Sequence, residues 1–569
     1  MMASGQDGES KQRQLMSTVT PDVPLVSQEL PIDKLRAANI PGDPSRGRDR
    51  LLIIAALVSL IAIGLAFRVA HLDAIGFAED EVNKVDAVRA YERGDITANG
   101  EHPMLMKAFM FASVKTAGVR DSRSRAISNE AAFRLPNAIF GALTVIPLFL
   151  LTAAFFDRWT GLMAAAFWSV GLNAITYNRV GKEDTLLVFF MLFAFYFYLR
   201  AKQTDTRNVV LTKRNYLLSG ISFGLMLASK YFPHYFGLNA LYHHKASVRK
   251  RELGEPSGKV PRLFYLAMLL AFIIANPPVL LPQVWQYLNV YMGEKLLVHT
   301  GYLFVDVLYK NNVSRSPFWG TPVYFYLLFM AIKIPLSVLA TFVAGMAVSI
   351  KRWRHPGYAF ALFMFLFWIV PYSLVGAKWL RYTLSLMPFV YMLAAAGGVA
   401  LARFAISRAG GSKRAEIITA AAVMIIFVVQ PAWIAYKAAP HFALYTNALA
   451  ADKVGYYFPH DEFYDDGLRE AIQFVCEKAP QGAIIAHETP AATRYYLERF
   501  GRSDLNSQVI SMPEFQVGNV SGPAYIIVQR GRTYFENREE IALVRSTFKK
   551  LYEERVNGIV AAEVFANQN

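Results

Sequence analysis

Residues 78–107 read "AEDEVNKVDAVRAYERGDITANGEHPMLMK". They follow "LLIIAALVSLIAIGLAFRVA" (51–70), an apolar run that reaches the roughly 20 residues needed to cross a bilayer. Three consecutive acids, Glu79, Asp80 and Glu81, then open a segment in which Val82, Val85 and Val88 recur at helical spacing, with Gly94 suited to the position past a helix end. The spacing predicts a helix along the membrane surface. Acids at its N-terminus satisfy free N–H groups and oppose the helix dipole, so a cap is one reading of the triplet. The other is an active site held at the membrane surface.

Across the whole chain, 54% of the 569 residues are hydrophobic and 18% charged, where soluble domains carry about 25% charged residues. That composition points to a polytopic membrane protein with a separate soluble part. Spans are read near 51–70, 132–155, 159–176, 184–200, 215–230, 231–245, 262–282, 320–349, 357–376, 380–403 and 415–436. The basic segments "RAKQTDTRNVVLTKR" (200–214) and "KASVRKRELGEPSGK" (245–259) both belong on the cytoplasmic side, which forces two spans between them. "KRWR" (351–354) and "RFAISRAGGSKR" (403–414) fall on the same side. The net charge of +16 is therefore largely topological, and nucleic acid is not an expected partner. The reading is about eleven helices, N-terminus cytoplasmic, with the loop 71–131 and everything after about 437 extracytoplasmic. Residues 1–50 read as a disordered cytoplasmic tail without a signal-peptide pattern. The single cysteine, Cys476, excludes an intrachain disulfide and a thiolate zinc site.

Beyond 437 the pattern changes. Leu468, Ala471, Ile472 and Val475 in "DDGLREAIQFVCEK" have amphipathic spacing; "AIIAHE", "QVISM" and "AYIIVQR" read as strands; "TPAATRYYLERF" and 537–553 read as helices. A small α/β domain at 437–569 is expected.

Charged residues gather at the depth of the acidic loop. "YNRVGKEDTLL" brings Arg179, Lys182, Glu183 and Asp184 there; Lys230 sits at the break between two spans; Arg134 begins the second span; Lys378, Arg381 and Tyr382 begin the tenth; Lys333 lies beside Pro335. Ionisable residues at membrane depth usually face a polar cavity, and acids beside bases suit an anionic lipid headgroup next to a proton-transfer group. His102 before Pro103 caps a helix or touches substrate. In "FPHDEFYDD" (458–466), His460, Asp461 and Glu462 suit a cation, and Asp465 or Asp466 a helix cap. Gly220-x-x-x-Gly224 reads as close helix packing. His299 lies in a loop that could cover the cavity.

These residues resemble the GT-C membrane glycosyltransferases, especially the protein O-mannosyltransferases and the aminoarabinose transferases of lipid A. The family pattern is an Asp-Glu pair soon after the first span, followed by His-Pro-Pro-x-x-Lys. Here Asp80-Glu81 is followed by His102-Pro103 and Lys107, with Met104 in place of the second proline. The resemblance continues through "FRLPNAIFGALTV", "NRVGKEDTLLVFF", "GISFGLMLASKY" and "AKWLRYTLSLMPFVYML", over roughly residues 50–400. It implies a catalytic membrane domain at 51–436. Asp80, Glu81 and Asp184 fall on its acidic positions, and His102, Lys107, Arg134, Arg179, Lys182, Lys230, Lys378, Arg381 and Tyr382 are implied as substrate-binding. It further implies transfer of a sugar from a polyprenyl phosphate to a protein, lipid or glycan on the extracytoplasmic face of a bacterial inner membrane. One carboxylate base and cations on the departing phosphate suit an inverting reaction, where glycosidase-type retention needs two carboxylates. The sequence leaves open the sugar, the acceptor, a divalent metal, and whether Asp80 or Glu81 is the base. A transporter or flippase is the alternative, or a non-catalytic envelope scaffold of the same fold.

Overall fold

The computed structural model describes residues 44–117, 128–204, 208–252, 259–292, 301–311, 318, 320–408 and 412–567. The tail expected at 1–50 lies outside them up to residue 43, as does His299; a helix already begins at Pro44 (Pro44–Val69). Residues from Ile54 onward form one compact unit, which holds the acidic loop and the sheet domain.

Among the described residues, six helices are long and apolar enough to cross a membrane: Asp49–Val69, Asn129–Phe155, Asp184–Gln203, Pro356–Leu374, Met387–Arg408 and Lys413–Ala438. The other expected spans fall on shorter or interrupted helices. The segment 159–176 breaks at Gly171, whose backbone is extended, into Arg158–Val170 and Leu172–Asn178; a side chain there would overlap the Tyr391 hydroxyl and the Phe167 carbonyl. The segment 320–349 breaks at Ile334-Pro335 into Phe325–Lys333 and Leu336–Lys351, as a proline without an N–H dictates. "SKYFPHYF" separates Val209–Ser229 from His234–Glu252 as read. Gly220 and Gly224 do lie at a close crossing: a Cβ on either would strike the Phe264 or Met268 carbonyl of the Arg262–Ala275 helix.

One buried cation ties the bundle together near the loop. Arg68 donates to the carbonyls of Gly64 (2.9 Å), Ser169 (3.0 Å) and Trp168 (3.1 Å) and to Asn178 Oδ1 (2.9 Å). Its guanidinium meets the Trp168 and Ser169 carbonyls, which the end of the Arg158–Val170 helix leaves without an intrahelical partner.

After the membrane helices, a five-stranded sheet forms from β3 (Ile484–His487), β4 (Asn506–Val509), β5 (Ala524–Gln529), β6 (Lys549–Val556) and β7 (Ile559–Ala566); β1 (Gly301–Phe304) and β2 (Val307–Lys310) make a separate hairpin. The order is β4-β3-β5-β7-β6, with β3 parallel to both β4 and β5 and the β6–β7 hairpin antiparallel. The helix expected at 537–553 is corrected here. It runs only over Arg538–Thr547, and the rest is β6, turned back on β7 through Asn557-Gly558, both at positive φ, the signature of a two-residue hairpin loop. The helices Leu468–Lys478 and Pro490–Phe500 cover one face of the sheet and share one apolar cluster with the loop helix Glu79–Glu92, in which Val82, Val85 and Val88 meet Leu468, Ile472, Val475, Tyr495 and Tyr496.

Candidate active site

The three acids at 79–81 begin the Glu79–Glu92 helix, as their spacing predicts, yet each does something different. Glu81 is the cap: Ala78 N–H donates to its Oε2 at 3.1 Å, closing a capping box. Arg134 binds the same carboxylate in bidentate fashion (Nε to Oε1 2.8 Å, Nη2 to Oε2 2.6 Å), and Gly181 N–H donates to Oε1 at 2.7 Å. All four lone-pair positions of Glu81 are thus occupied. Glu79 caps a different helix: Ala491 and Ala492 N–H donate to its two oxygens at 2.9 and 2.8 Å. Asp80 remains 41% exposed and faces Arg381 and Lys182 Nζ, the latter at 3.1 Å. Burial works against ionisation of Asp80, but the charges of Lys182, Arg381 and Lys84 outweigh it and hold its carboxyl well below the usual carboxylate range.

Around Asp80 the structure brings together a mixed-charge cluster. Lys84, one turn further along the helix, pairs with Glu183 at 3.3 Å, and His102 Nδ1 stands 3.8 Å from the same carboxylate. Burial, partly opposed by Glu183, keeps the His102 imidazole well below its usual range and therefore neutral at pH 7. Asp184 pairs with Lys230 at 2.6 Å. The Tyr382 ring receives Lys230 on its face at 5.0 Å and Arg381 at 5.6 Å. Arg381 also donates to the Tyr464 hydroxyl at 3.5 Å, while its buried Nε has no hydrogen-bond partner. A buried donor left unsatisfied on a cation is a feature that a bound anion would remove.

Four of the cations expected to bind substrate are committed to the scaffold instead. Arg134, besides Glu81, donates to the carbonyls of Leu72, Ile75 and Gly76 (3.1, 2.7 and 2.7 Å). Arg179 gathers the carbonyls of Phe67, Arg68, Ala70 and His71 at 2.7–3.1 Å, a cation on the C-terminal end of the first helix, where the dipole favours it. Lys107 is buried under the carbonyls of Ala98, Asn99 and His102 (3.3, 2.6 and 2.9 Å), and burial pushes its ammonium down to about 7. Lys378 donates to the Thr321 carbonyl at 2.7 Å and to that of Val375, and burial lowers it to about 8. Spacing along the chain could not separate these from Lys182, Lys230 and Arg381, because the distinction depends on which carbonyls the folded loops bring within reach.

Known proteins share this architecture. A family model described as dolichyl-phosphate-mannose-protein mannosyltransferase matches residues 125–281. ArnT from Cupriavidus metallidurans in the apo state superposes with a TM-score of 0.51 at 13% identity, over 92% of this chain and 98% of that one. The fold is that of the GT-C glycosyltransferases. Archaeal AglB from Archaeoglobus fulgidus, an oligosaccharyltransferase in complex with an inhibitory peptide and a dolichol-phosphate, gives a TM-score of 0.51 at 10% identity over 91% of this chain and 74% of its own. No curated protein sequence matches the chain.

At the start of the sheet domain, "FPHDEFYDD" is a joint. Glu462 pairs with Lys333, Asp461 accepts from Tyr302, Asp466 lies 2.5 Å from His441 Nδ1, and Arg532 reaches Asp465 at 2.5 and 2.7 Å. The cation expected between Asp461 and Glu462 is therefore a lysine ammonium. Among the described residues no three His, Cys, Asp or Glu side chains converge, and Asp80, Glu183 and Asp184 each already face an ammonium or guanidinium. Lys84 and Tyr464 were missed as site residues. The signal for Lys84 was available, since i and i+4 share a helix face and Asp80 is its i−4 neighbour.

Proposed function

We propose that this protein is an integral membrane glycosyltransferase that moves a sugar from a polyprenyl phosphate to a protein, lipid or glycan acceptor on the extracytoplasmic face, in a bacterial inner membrane. Asp80 serves as the general base. The observation that carries the assignment is the division of labour in the acidic pair: Glu81 has every lone pair taken, whereas Asp80 is ionised, open to the cavity and flanked by Arg381 and Lys182. Those two cations, with Lys230, suit the departing lipid phosphate. As the phosphate draws Arg381 and Lys182 toward itself, the field holding Asp80 at low pKa weakens, and the carboxylate becomes basic enough to take the acceptor's proton. The hydroxyl oxygen then bonds to the anomeric carbon as the carbon–phosphate oxygen bond breaks, and the cations absorb the negative charge that develops. One working carboxylate supports inversion.

Sidedness is supported by the opposite ends of the same helices. Asp184 begins the Asp184–Gln203 helix at the site, and Arg200 stands near its other end, about 25 Å away at 1.5 Å per residue, where the basic loops follow. The bound dolichol-phosphate of the AglB structure supports a lipid-phosphate donor for a chain of this fold. The test is release of polyprenyl phosphate by the purified protein from labelled polyprenyl-phosphate sugars, with mass spectrometry of the co-purified lipid to choose among them. Turnover that survives in an Asp80→Asn, Glu81→Gln double variant would overturn the site. Turnover that survives EDTA is expected, since in this reading Arg381, Lys182 and Lys230 stabilise the departing phosphate.

A further inference from the structure

Of the three acids, Glu79 is the one that bonds to the sheet domain. Its carboxylate takes the Ala491 and Ala492 N–H groups in the first turn of Pro490–Phe500 (2.9 and 2.8 Å), and its own N–H donates to Asp465 Oδ2 at 3.0 Å. Asp465 is itself fixed from the sheet by Gln529 at 3.1 Å and by Arg532 at 2.5 and 2.7 Å. It sits with Tyr464 in a turn whose φ values, 48° and 65°, are left-handed; such residues persist only where the surroundings over-determine them. Tyr464 in turn touches Arg381, the partner of Asp80. Main chain and side chain of Glu79 are therefore both clamped by the sheet domain, one peptide bond from the base.

We propose that Glu79 is a positioning residue, which passes the placement of the C-terminal sheet domain to the Asp80 carboxylate. This rests on Asp80 being the base. A side chain that only docks the domain need not stand next to Asp80. Asp86–Arg494 (2.5 Å) and Arg89–Glu498 (3.3 Å) are such pairs, about two to three turns further along the helix and partly exposed. The sheet domain thus does more than border the cavity: its two N–H groups and Asp465 fix the residue next to Asp80, on the side of the first turn opposite to the Arg134 and Gly181 bonds of Glu81.

The experiment follows carbodiimide-driven coupling of glycine ethyl ester to individual carboxylates of the full-length protein in detergent at pH 6, read by mass spectrometry. Because the two cations keep Asp80 ionised and slow to react, Glu79→Gln and Ala491→Pro are each expected to speed its labelling about tenfold, the equivalent of one pKa unit. Ala491→Pro removes the N–H from the sheet-domain side at a helix-start position that accepts proline, so the two variants reach the same bond from opposite sides. Asp86→Asn is expected to leave Asp80 unchanged. On any polyprenyl-phosphate sugar that the wild type uses, Glu79→Gln should lower kcat on the order of 10- to 100-fold with little change in KM. Unchanged Asp80 labelling in both variants, or an equal rise in Asp86→Asn, overturns the proposal. A wild type that releases no lipid phosphate from dolichyl phosphate mannose or undecaprenyl-phosphate sugars overturns the proposed function, and the labelling still decides the coupling.

Discussion

A carboxylate with four hydrogen bonds cannot also be a base, and this separates two neighbours that the sequence leaves equivalent. Glu81 is 2% exposed and bound to Arg134; removing one member of such a buried pair costs about 3–5 kcal/mol. Glu81→Gln is accordingly expected to lower the thermal midpoint sharply and to lose activity through lost fold. Asp80→Asn should leave the midpoint nearly unmoved and slow turnover on the order of 10²- to 10⁴-fold. Parallel thermal scans and lipid-phosphate release in detergent distinguish the two, and a destabilised Asp80→Asn beside a stable Glu81→Gln would reverse the roles. The acidic triplet was legible as a functional cap in the sequence. Its partition was not, because Gly181 and Arg134 reach Glu81 across 100 and 53 residues of chain.

Among the helices and strands, what the sequence revealed depended on how local the cause was. Apolar runs of membrane length act within a few residues, so six of the expected spans are each one long apolar helix among the described residues, whereas the breaks at Gly171 and Pro335 fall inside spans read as continuous. The β6–β7 hairpin was hidden because Val544 and Leu543 continue a helical pattern up to Thr547, and the Asn557-Gly558 turn that redirects the chain comes only afterwards. Cations at loop ends were the least legible, since Arg179 and Lys230 look alike in sequence and differ in what they touch. Arg179 closes the end of the first helix with four carbonyl bonds, whereas Lys230 lies over Tyr382 beside Asp184. Arg179→Ala should therefore lower the thermal midpoint while leaving undecaprenyl phosphate affinity within about twofold. Lys230→Ala or Arg381→Ala should weaken that affinity roughly tenfold or more, at about 1.5–3 kcal/mol per charged hydrogen bond. Titration of each variant with the lipid, monitored by intrinsic fluorescence, checks the split, and equal losses for Arg179→Ala and Lys230→Ala would contradict it.

Across the molecule, the loop helix and the sheet domain share one apolar core, so the site should unfold together with the sheet domain and its stability should follow the carboxyls buried there. Burial pushes Glu488 up to about 7, against hydrogen bonds from Ser511 and Asn537 that favour the ionised form, and pushes Glu79 and Asp461 up to about 6. A carboxyl raised in the folded state binds its proton more tightly there than in the unfolded chain. Its stabilising contribution is complete below the unfolded value and is lost as pH rises through the folded one. Asp80 and Asp465 have the opposite sign, being held low by Lys182 and Arg381 and by Arg532 against the effect of burial, and their contribution is lost only as pH falls below the usual carboxylate range. Between about pH 4.5 and 7 the raised carboxyls lower stability as pH rises, while His102 and His487, held low by burial, raise it. The Glu488 contribution is therefore read as the difference between wild type and Glu488→Gln, which can still accept from Asn537 and donate to Ser511. Across that window the wild type should lose on the order of 3 kcal/mol relative to the variant, Glu488 being 5% exposed, and the variant should have the higher midpoint at pH 8. Activity and sheet unfolding should be lost in a single transition at each pH. A difference between wild type and Glu488→Gln that stays constant between pH 5 and 7 would contradict the role of Glu488, and a sheet domain that melts while lipid phosphate is still released would show that the base-bearing helix does not depend on the domain that clamps it.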